Sequence, residues 1–191
     1  MAKPLVAVLA AGRGIRFGGG KLEANCAGKP VGRWAVEAVE AAGLGPAVIV
    51  TGPDSVSFAP RWTALVNPRP EQGLGASLAL AARHALDSGA DALLVVLADM
   101  PLLTPAFLRQ LASSTPPIAT RQPDGHAGAP ALLDRGLMEH AAQLTGDRGA
   151  GALLAGATLL DPPPGMLSDV DTAEDLRNAQ RALRQAQDEW G

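Results

Sequence analysis

Residues 92–99, ALLVVLAD, stay apolar up to Asp99 without the polar alternation of a half-exposed strand. Residues 5–10, LVAVLA, have the same character. Runs this short and uniformly apolar read as strands covered on both faces, and such strands belong to a parallel sheet between layers of helix. The rest of the chain must therefore supply helices, and it does. PVGRWAVEAVEAAG (30–43) reads as a helix opened by Pro30 and closed by Gly43. GASLALAARHAL (75–86), TPAFLRQLA (104–112) and GLMEHAAQL (136–144) follow as helices, and GAGALLAG (149–156) as a short one. In the third, Thr104 stands at the N-cap and Pro105 at the first helical position.

Between them lie further short strands at 47–51, 63–67, 116–122, 129–134 and 157–161. The last helix is the best marked. Thr172 caps it, Glu174 and Asp175 occupy its first turn, and it runs toward Trp190. This alternation predicts an α/β layer fold with a mostly parallel sheet. No internal repeat is present. The DPPPG stretch (161–165) reads as a stiff connection rather than a linker, so residues 1–191 form one domain.

Composition narrows the function classes. Aromatic residues are 3% of the chain, with no Tyr, which argues against a stacking platform for single-stranded nucleic acid. A net charge of −3 argues against a general nucleic-acid surface. The lone Cys26 cannot form an internal disulfide and fits a reducing, cytoplasmic setting. Lys3 before an apolar run imitates a short signal peptide, but the run is minimal and a charged loop follows at once, so a buried first strand is the better reading. No stretch is long and apolar enough to span a bilayer, and no membrane partner is expected.

The cations concentrate instead just after the first strand, in LAAGRGIRFGGGKL (9–22). Two familiar phosphate loops fail there on spacing. A P-loop with Gly20-Lys21 as its GK needs glycine at 15 and a hydroxyl at 22, and the chain has Ile15 and Leu22. A dinucleotide loop starting at Gly12 and Gly14 needs a third glycine where Phe17 stands. Arg13, Arg16 and Lys21 together suit a triphosphate, with glycine amides binding its oxygens. The competing reading is a solvated turn whose cations face water.

Two acidic features matter beside this loop. Asp99 stands at the carboxyl end of an apolar strand, the edge where open α/β sheets bind ligands. Magnesium takes one or two carboxylates plus phosphate oxygens, and Asp99 could be one, although it also reads as the start of a turn before Met100-Pro101. Asp169 and Asp171, in SDVDTAED, precede the last helix, where the helix dipole alone favours acids. Asp171 gains interest as a partner for Asp99.

Together LAAGRGIRFGGGK, LADMP and SDVDTAEDL resemble, in order and separation, the molybdopterin nucleotidyltransferases, the cytidylyl- and guanylyltransferase group of MobA-like NTP transferases. AGKPVGRWAVEAVEAAG (27–43), NPRPEQGLGASL (67–78) and TGDRGAGALL (145–154) extend the resemblance over nearly the whole chain. It implies a Rossmann-like nucleotidyltransferase fold, a three-layer α/β/α arrangement around a mostly parallel mixed sheet. It also implies a magnesium-dependent reaction in which an acceptor phosphate attacks the α-phosphate of an NTP and pyrophosphate leaves, with CTP favoured and GTP next. By the same resemblance the backbone of Leu9, Ala10, Ala11 and Gly12 would meet the base. Arg13, Gly14, Arg16 and Lys21 would meet the triphosphate. Gly75 and Ser77 would border base and ribose, Asp99 and Asp171 would hold Mg2+, and Lys21, Arg13 and Asp99 would carry catalysis. Molybdopterin is the implied acceptor, and a molybdoenzyme receiving the cofactor is an implied partner.

A phosphate monoester is already an anionic nucleophile at neutral pH, so no Ser–His or Cys–His pair is required. Nothing basic adjoins Cys26, which reads as a small packed residue. The chain departs from the cytidylyltransferase pattern where Gly-His-Pro is expected. Gly128-Ala129-Pro130 stands there, with His126 three residues before Ala129 as a candidate substitute, and CAGKP (26–30) replaces a more apolar segment. These departures keep open a different phosphorylated acceptor, such as a sugar 1-phosphate. A non-catalytic carrier that delivers molybdenum cofactor is a further alternative.

Overall fold

The computed structural model describes residues 4–12, 14–146 and 150–190. A seven-stranded sheet forms the middle layer, in the order β5-β4-β1-β6-β8-β7-β9. Its members are β1 (Leu5–Leu9), β4 (Ala47–Thr51), β5 (Thr63–Val66), β6 (Leu93–Leu97), β7 (Ile118–Arg121), β8 (Ala127–Leu133) and β9 (Thr158–Leu160). β1 pairs in parallel with β4 and β6, β4 with β5, and β7 with β9, while β8 runs antiparallel to both β6 and β7. The sheet is thus mostly parallel and mixed, as the uniformly apolar runs require. A two-stranded hairpin of β2 (Asn25–Cys26) and β3 (Lys29–Pro30) lies outside it.

Both faces of β1 are buried, and its side chains alternate between two cores. Val6 and Val8 face the layer of α1 (Val31–Ala42), α3 (Pro105–Ser113) and α6 (Ala173–Trp190). Leu5, Ala7 and Leu9 face the layer of α2 (Leu74–Asp87), α4 (Arg135–Ala141) and α5 (Ala150–Leu153). Burying one such aliphatic side chain stabilises the fold by ~1.5–3 kcal/mol, and the cores are built almost wholly from Ala, Val and Leu. The small residues let helices approach closely: a Cβ on Gly32 of α1 would lie 2.4 Å from the Phe58 ring.

The caps predicted at Thr104 and Thr172 are in place, and Asp134 adds a third. The Thr104 hydroxyl accepts from the Phe107 N–H at the start of α3, and Asp134 caps α4 through the Leu137 N–H. Thr172 and Asp175 form a reciprocal box at the start of α6: the Thr172 hydroxyl accepts from the Asp175 N–H, and the Asp175 carboxylate accepts from the Thr172 N–H.

Chain order positions the site. From β1 the chain moves outward to β4 and β5, then returns across β1 to β6. β1 and β6 therefore flank the point where strand order reverses, and their carboxyl ends open the crevice where such sheets bind ligands. β8 widens this opening. It pairs with β6 only from Val95–Ala131 back to Leu93–Leu133.

Candidate active site

The loop after β1 turns back over the end of the sheet. Two 3-10 turns, Ile15–Phe17 and Lys21–Glu23, are separated by Gly18, Gly19 and Gly20, all at positive φ. Only glycine adopts this succession cheaply, and it returns Lys21 beneath the loop. The Lys21 side chain, 7% exposed, sits between two carboxylates. Its ammonium donates to Asp99 Oδ2 at 2.8 Å and to Asp171 Oδ1 at 2.9 Å. Arg16 Nη1 reaches Asp171 Oδ2 at 3.1 Å.

The carboxylates are fixed from behind. The Val170 N–H donates to the Asp99 carbonyl at 3.0 Å, which ties the approach to α6 onto the end of β6. The Asp171 N–H donates to the Asp175 carboxylate, so the capping box of α6 also sets the backbone of Asp171. An acid placed for the helix dipole and an acid placed at a sheet edge thereby become neighbours.

Charge shapes every group here. Burial opposes the Lys21 charge, but Asp99 and Asp171 outweigh it and raise the ammonium pKa. The hydrogen bond from Lys21, with its charge and that of Arg16, lowers the Asp171 pKa. Asp169 moves the other way. The residue as a whole is exposed, yet desolvation of its carboxyl and repulsion from Asp99 and Asp171 push its pKa up to about 6. Asp99 Oδ1 is buried with no hydrogen-bond partner among the described residues.

A cleft of about 430 Å³ opens in front of these groups. Leu9, Ala11, Gly12, Gly14, Arg16, Lys21, Ser77, Asp99 and Asp171 line it. Most of the sequence-predicted site residues thus meet in one place. Ala10 and Gly75 do not line it. The Ala10 side chain points into the core, as strand alternation after Leu9 dictates. Gly75 is buried against the backbone at Gly146, where a Cβ would lie 2.0 Å from the Gly146 carbonyl oxygen. Arg13 lies outside the described residues. His126 is 83% exposed, pairs with Asp124 at 3.3 Å and is absent from the cleft wall. Cys26 is fully buried in the core, and burial raises its thiol pKa, so it is a packing residue.

Asn67 opens the NPRPEQGLGASL stretch but carries no expected role of its own. It is buried, its carbonyl oxygen accepts from the Arg69 N–H, and its amide therefore donates to Ser77 Oγ at 3.0 Å. This makes Ser77 Oγ an acceptor within the protein and leaves its own hydrogen to be donated elsewhere. Glu71, from the turn before α2, and Leu74, at the start of α2, also border the cleft; both belong to the EQGLGAS stretch that the resemblance sets beside the nucleotide.

A cationic glycine loop and two carboxylates at the switch point of a doubly covered sheet define an NTP-using transferase. Residues 6–162 match the MobA-like NTP transferase domain, and the chain belongs to that family of nucleotidyltransferases. It is 29% identical over 194 aligned positions to the purine catabolism protein PucB of Bacillus subtilis (strain 168), covering 92% of this chain and 95% of that one. A nucleotidyl transferase from Methanothermobacter thermautotroptrophicus superposes with a TM-score of 0.78 at 25% identity, covering 96% of this chain and 99% of that one. The molybdopterin-guanine dinucleotide biosynthesis protein A of Archaeoglobus fulgidus shares the fold, with a TM-score of 0.72 at 19% identity over 95% of this chain and 99% of that one. Among the described residues no helix is long and apolar enough to cross a membrane.

Proposed function

We propose that this nucleotidyltransferase moves a nucleoside monophosphate from an NTP, with CTP favoured and GTP next, to the phosphate of molybdopterin, releasing pyrophosphate. One observation carries the reading: the loop after β1, the end of β6 and the start of α6 converge on the Lys21–Asp99–Asp171 cluster inside a single cleft. The triphosphate lies along the 12–21 loop, where Arg16, Lys21 and, by resemblance, Arg13 neutralise its charge. Leu9, Ala11 and Gly12 border the base, and Ser77 offers it a hydroxyl donor. The acceptor's phosphate oxygen forms a bond to the α-phosphorus as the bond from that phosphorus to the bridging oxygen breaks. Lys21 stabilises the charge that collects on the departing pyrophosphate. No protein base is needed, because the nucleophile is already ionised.

The site residues fit a divalent metal. Asp99 Oδ1 is a buried acceptor without a partner, and two carboxylates with no nitrogen or sulfur donor suit a hard cation that completes its shell on phosphate oxygens. Among the described residues no cluster of three or more His, Cys, Asp or Glu forms a closed cage. Asp99 and Asp171 would hold Mg2+, which supplies Lewis-acid stabilisation of the α-phosphate.

A second acceptor class has one observation in its favour. Ala129 occupies the position where the cytidylyltransferase pattern has histidine, and its carbonyl accepts from the Gln122 side chain at 3.0 Å. A sugar 1-phosphate acceptor fits that change. The test is pyrophosphate release in Mg2+ from CTP, GTP, ATP and UTP against molybdopterin and a panel of sugar phosphates. Release from CTP only when molybdopterin is present is the expected result. Release only with a sugar phosphate establishes the second class, and no release with any pair removes the transferase reading.

A further inference from the structure

Asp99 and Asp171 share a cation supplied by the chain itself, the Lys21 ammonium. Of their four carboxylate oxygens, Asp99 Oδ2 and Asp171 Oδ1 are engaged by Lys21 and Asp171 Oδ2 by Arg16. Only Asp99 Oδ1 is left over among the described residues. The formal charges of Lys21 and Arg16 cancel those of Asp99 and Asp171. A free divalent ion would have to break these contacts and shed its water, with no uncompensated pair of carboxylates to reward it.

We infer that Lys21 is the resident cation of the metal site, so that a divalent ion enters only together with a nucleoside triphosphate that draws Lys21 away from Asp99 and Asp171. This rests on the proposed placement of metal and triphosphate and adds an order of loading to it. The exchange balances in charge. The triphosphate brings the anions that Lys21 and Arg16 need once they leave the carboxylates, and the carboxylates become available as the dication arrives. The Lys21 stem packs along Gly14, where a Cβ would stand 3.1 Å from Lys21 Cγ and 3.4 Å from its Cβ and Cδ, so glycine at 14 is what brings the ammonium under the loop. Lys21 in this account has two positions: between the carboxylates in the free protein, and on the phosphates in the loaded one.

The test is Mn2+ binding to the full chain, followed by electron paramagnetic resonance with and without α,β-methylene-CTP or its GTP counterpart. Wild type should bind Mn2+ weakly alone and much more tightly with a nucleotide analogue. Lys21→Met, which keeps the stem and removes the charge, should bind Mn2+ alone on the order of tenfold more tightly than wild type. Binding by Lys21→Met no tighter than by wild type overturns the inference while leaving the metal site standing. If no protein binds Mn2+ even with an analogue, the metal placement and the inference fall together. Should Lys21→Met fail to fold, the 15N resonance of the Lys21 ammonium in wild type decides the matter. It should hold its position when Mg2+ alone is added and move when Mg2+ and the analogue are added together. Movement with Mg2+ alone at the same concentration overturns the inference.

Discussion

Two ionic networks stand on this molecule, one on the outer face of α1 and one in the cleft. On α1, Lys29 and Arg33 both pair with Glu37, and Arg33 also pairs with Glu40. Trp62 donates its indole N–H to Glu40, and the Lys29 ammonium lies 4.4 Å from the centre of the Trp34 ring. That network is closed, since its charges find partners without help from a ligand. The cleft network is open. Asp99 keeps a buried oxygen without a partner, and Asp169 sits close enough to Asp99 and Asp171 to be repelled by both. A closed network holds a surface together. An open one, held in place by backbone contacts from two elements, is arranged for something that is to arrive.

Substitutions should separate the two. Asp99→Asn should lower kcat for nucleotidyl transfer by at least about a hundredfold while the circular dichroism spectrum stays native. Full activity in that variant would remove Asp99 from the chemistry. Glu37→Gln, by contrast, should leave kcat unchanged. At the edge of the cleft, Ser77→Ala should raise KM for the favoured NTP about tenfold with little change in kcat. Asn67→Asp should do the same, because its carboxylate would take the Ser77 hydrogen for itself. An unchanged KM in both variants would take Ser77 off the nucleotide.

pH extends the comparison with opposite signs. The folded pKa of Asp169 is raised, from an ordinary 3.8 to about 6. The folded state therefore binds this proton more tightly than the unfolded state, and the Asp169 contribution to stability should fall as pH rises from about 4 to about 6. Asp169→Asn should flatten that limb in urea titrations at stepped pH, and an unaltered profile would contradict the assignment. For Glu37 burial raises the pKa, but Lys29 and Arg33 outweigh it and the net shift is downward from 4.5. Its contribution is present above that value and lost as pH falls through the lowered pKa. The pair is about a third exposed, so Glu37→Gln should cost less than ~1 kcal/mol at neutral pH. A larger loss would mean that the α1 network supports more than its own surface.

The strands and helices were legible because their apolar runs and caps are local signals. Thr104, Asp134 and Thr172 cap as their residue types suggest, although only the first and last were singled out from the sequence. The hairpin at residues 25–30 and the 3-10 turns at Ile15–Phe17, Lys21–Glu23 and Pro70–Gln72 were not legible, being too short for any period. In the site, Lys21, Asp99 and Asp171 were legible because rare charges interrupt glycine-rich or apolar stretches. The Ala10 side chain packs into the core, as strand alternation decides, which bears on no backbone contact, and Gly75 packs against a neighbouring loop. Asn67 was invisible because its role exists only once β5 and α2 bring it to Ser77.

On the proposed function, Asp99 and Asp171 serve a metal-bound triphosphate. Calorimetric titration with α,β-methylene-CTP, in Mg2+ and in its absence, tests it on wild type, Asp99→Asn and Asp171→Asn. Wild type should bind more tightly with Mg2+ than without, and both variants should lose that gain. An equal gain from Mg2+ in all three proteins would contradict the account.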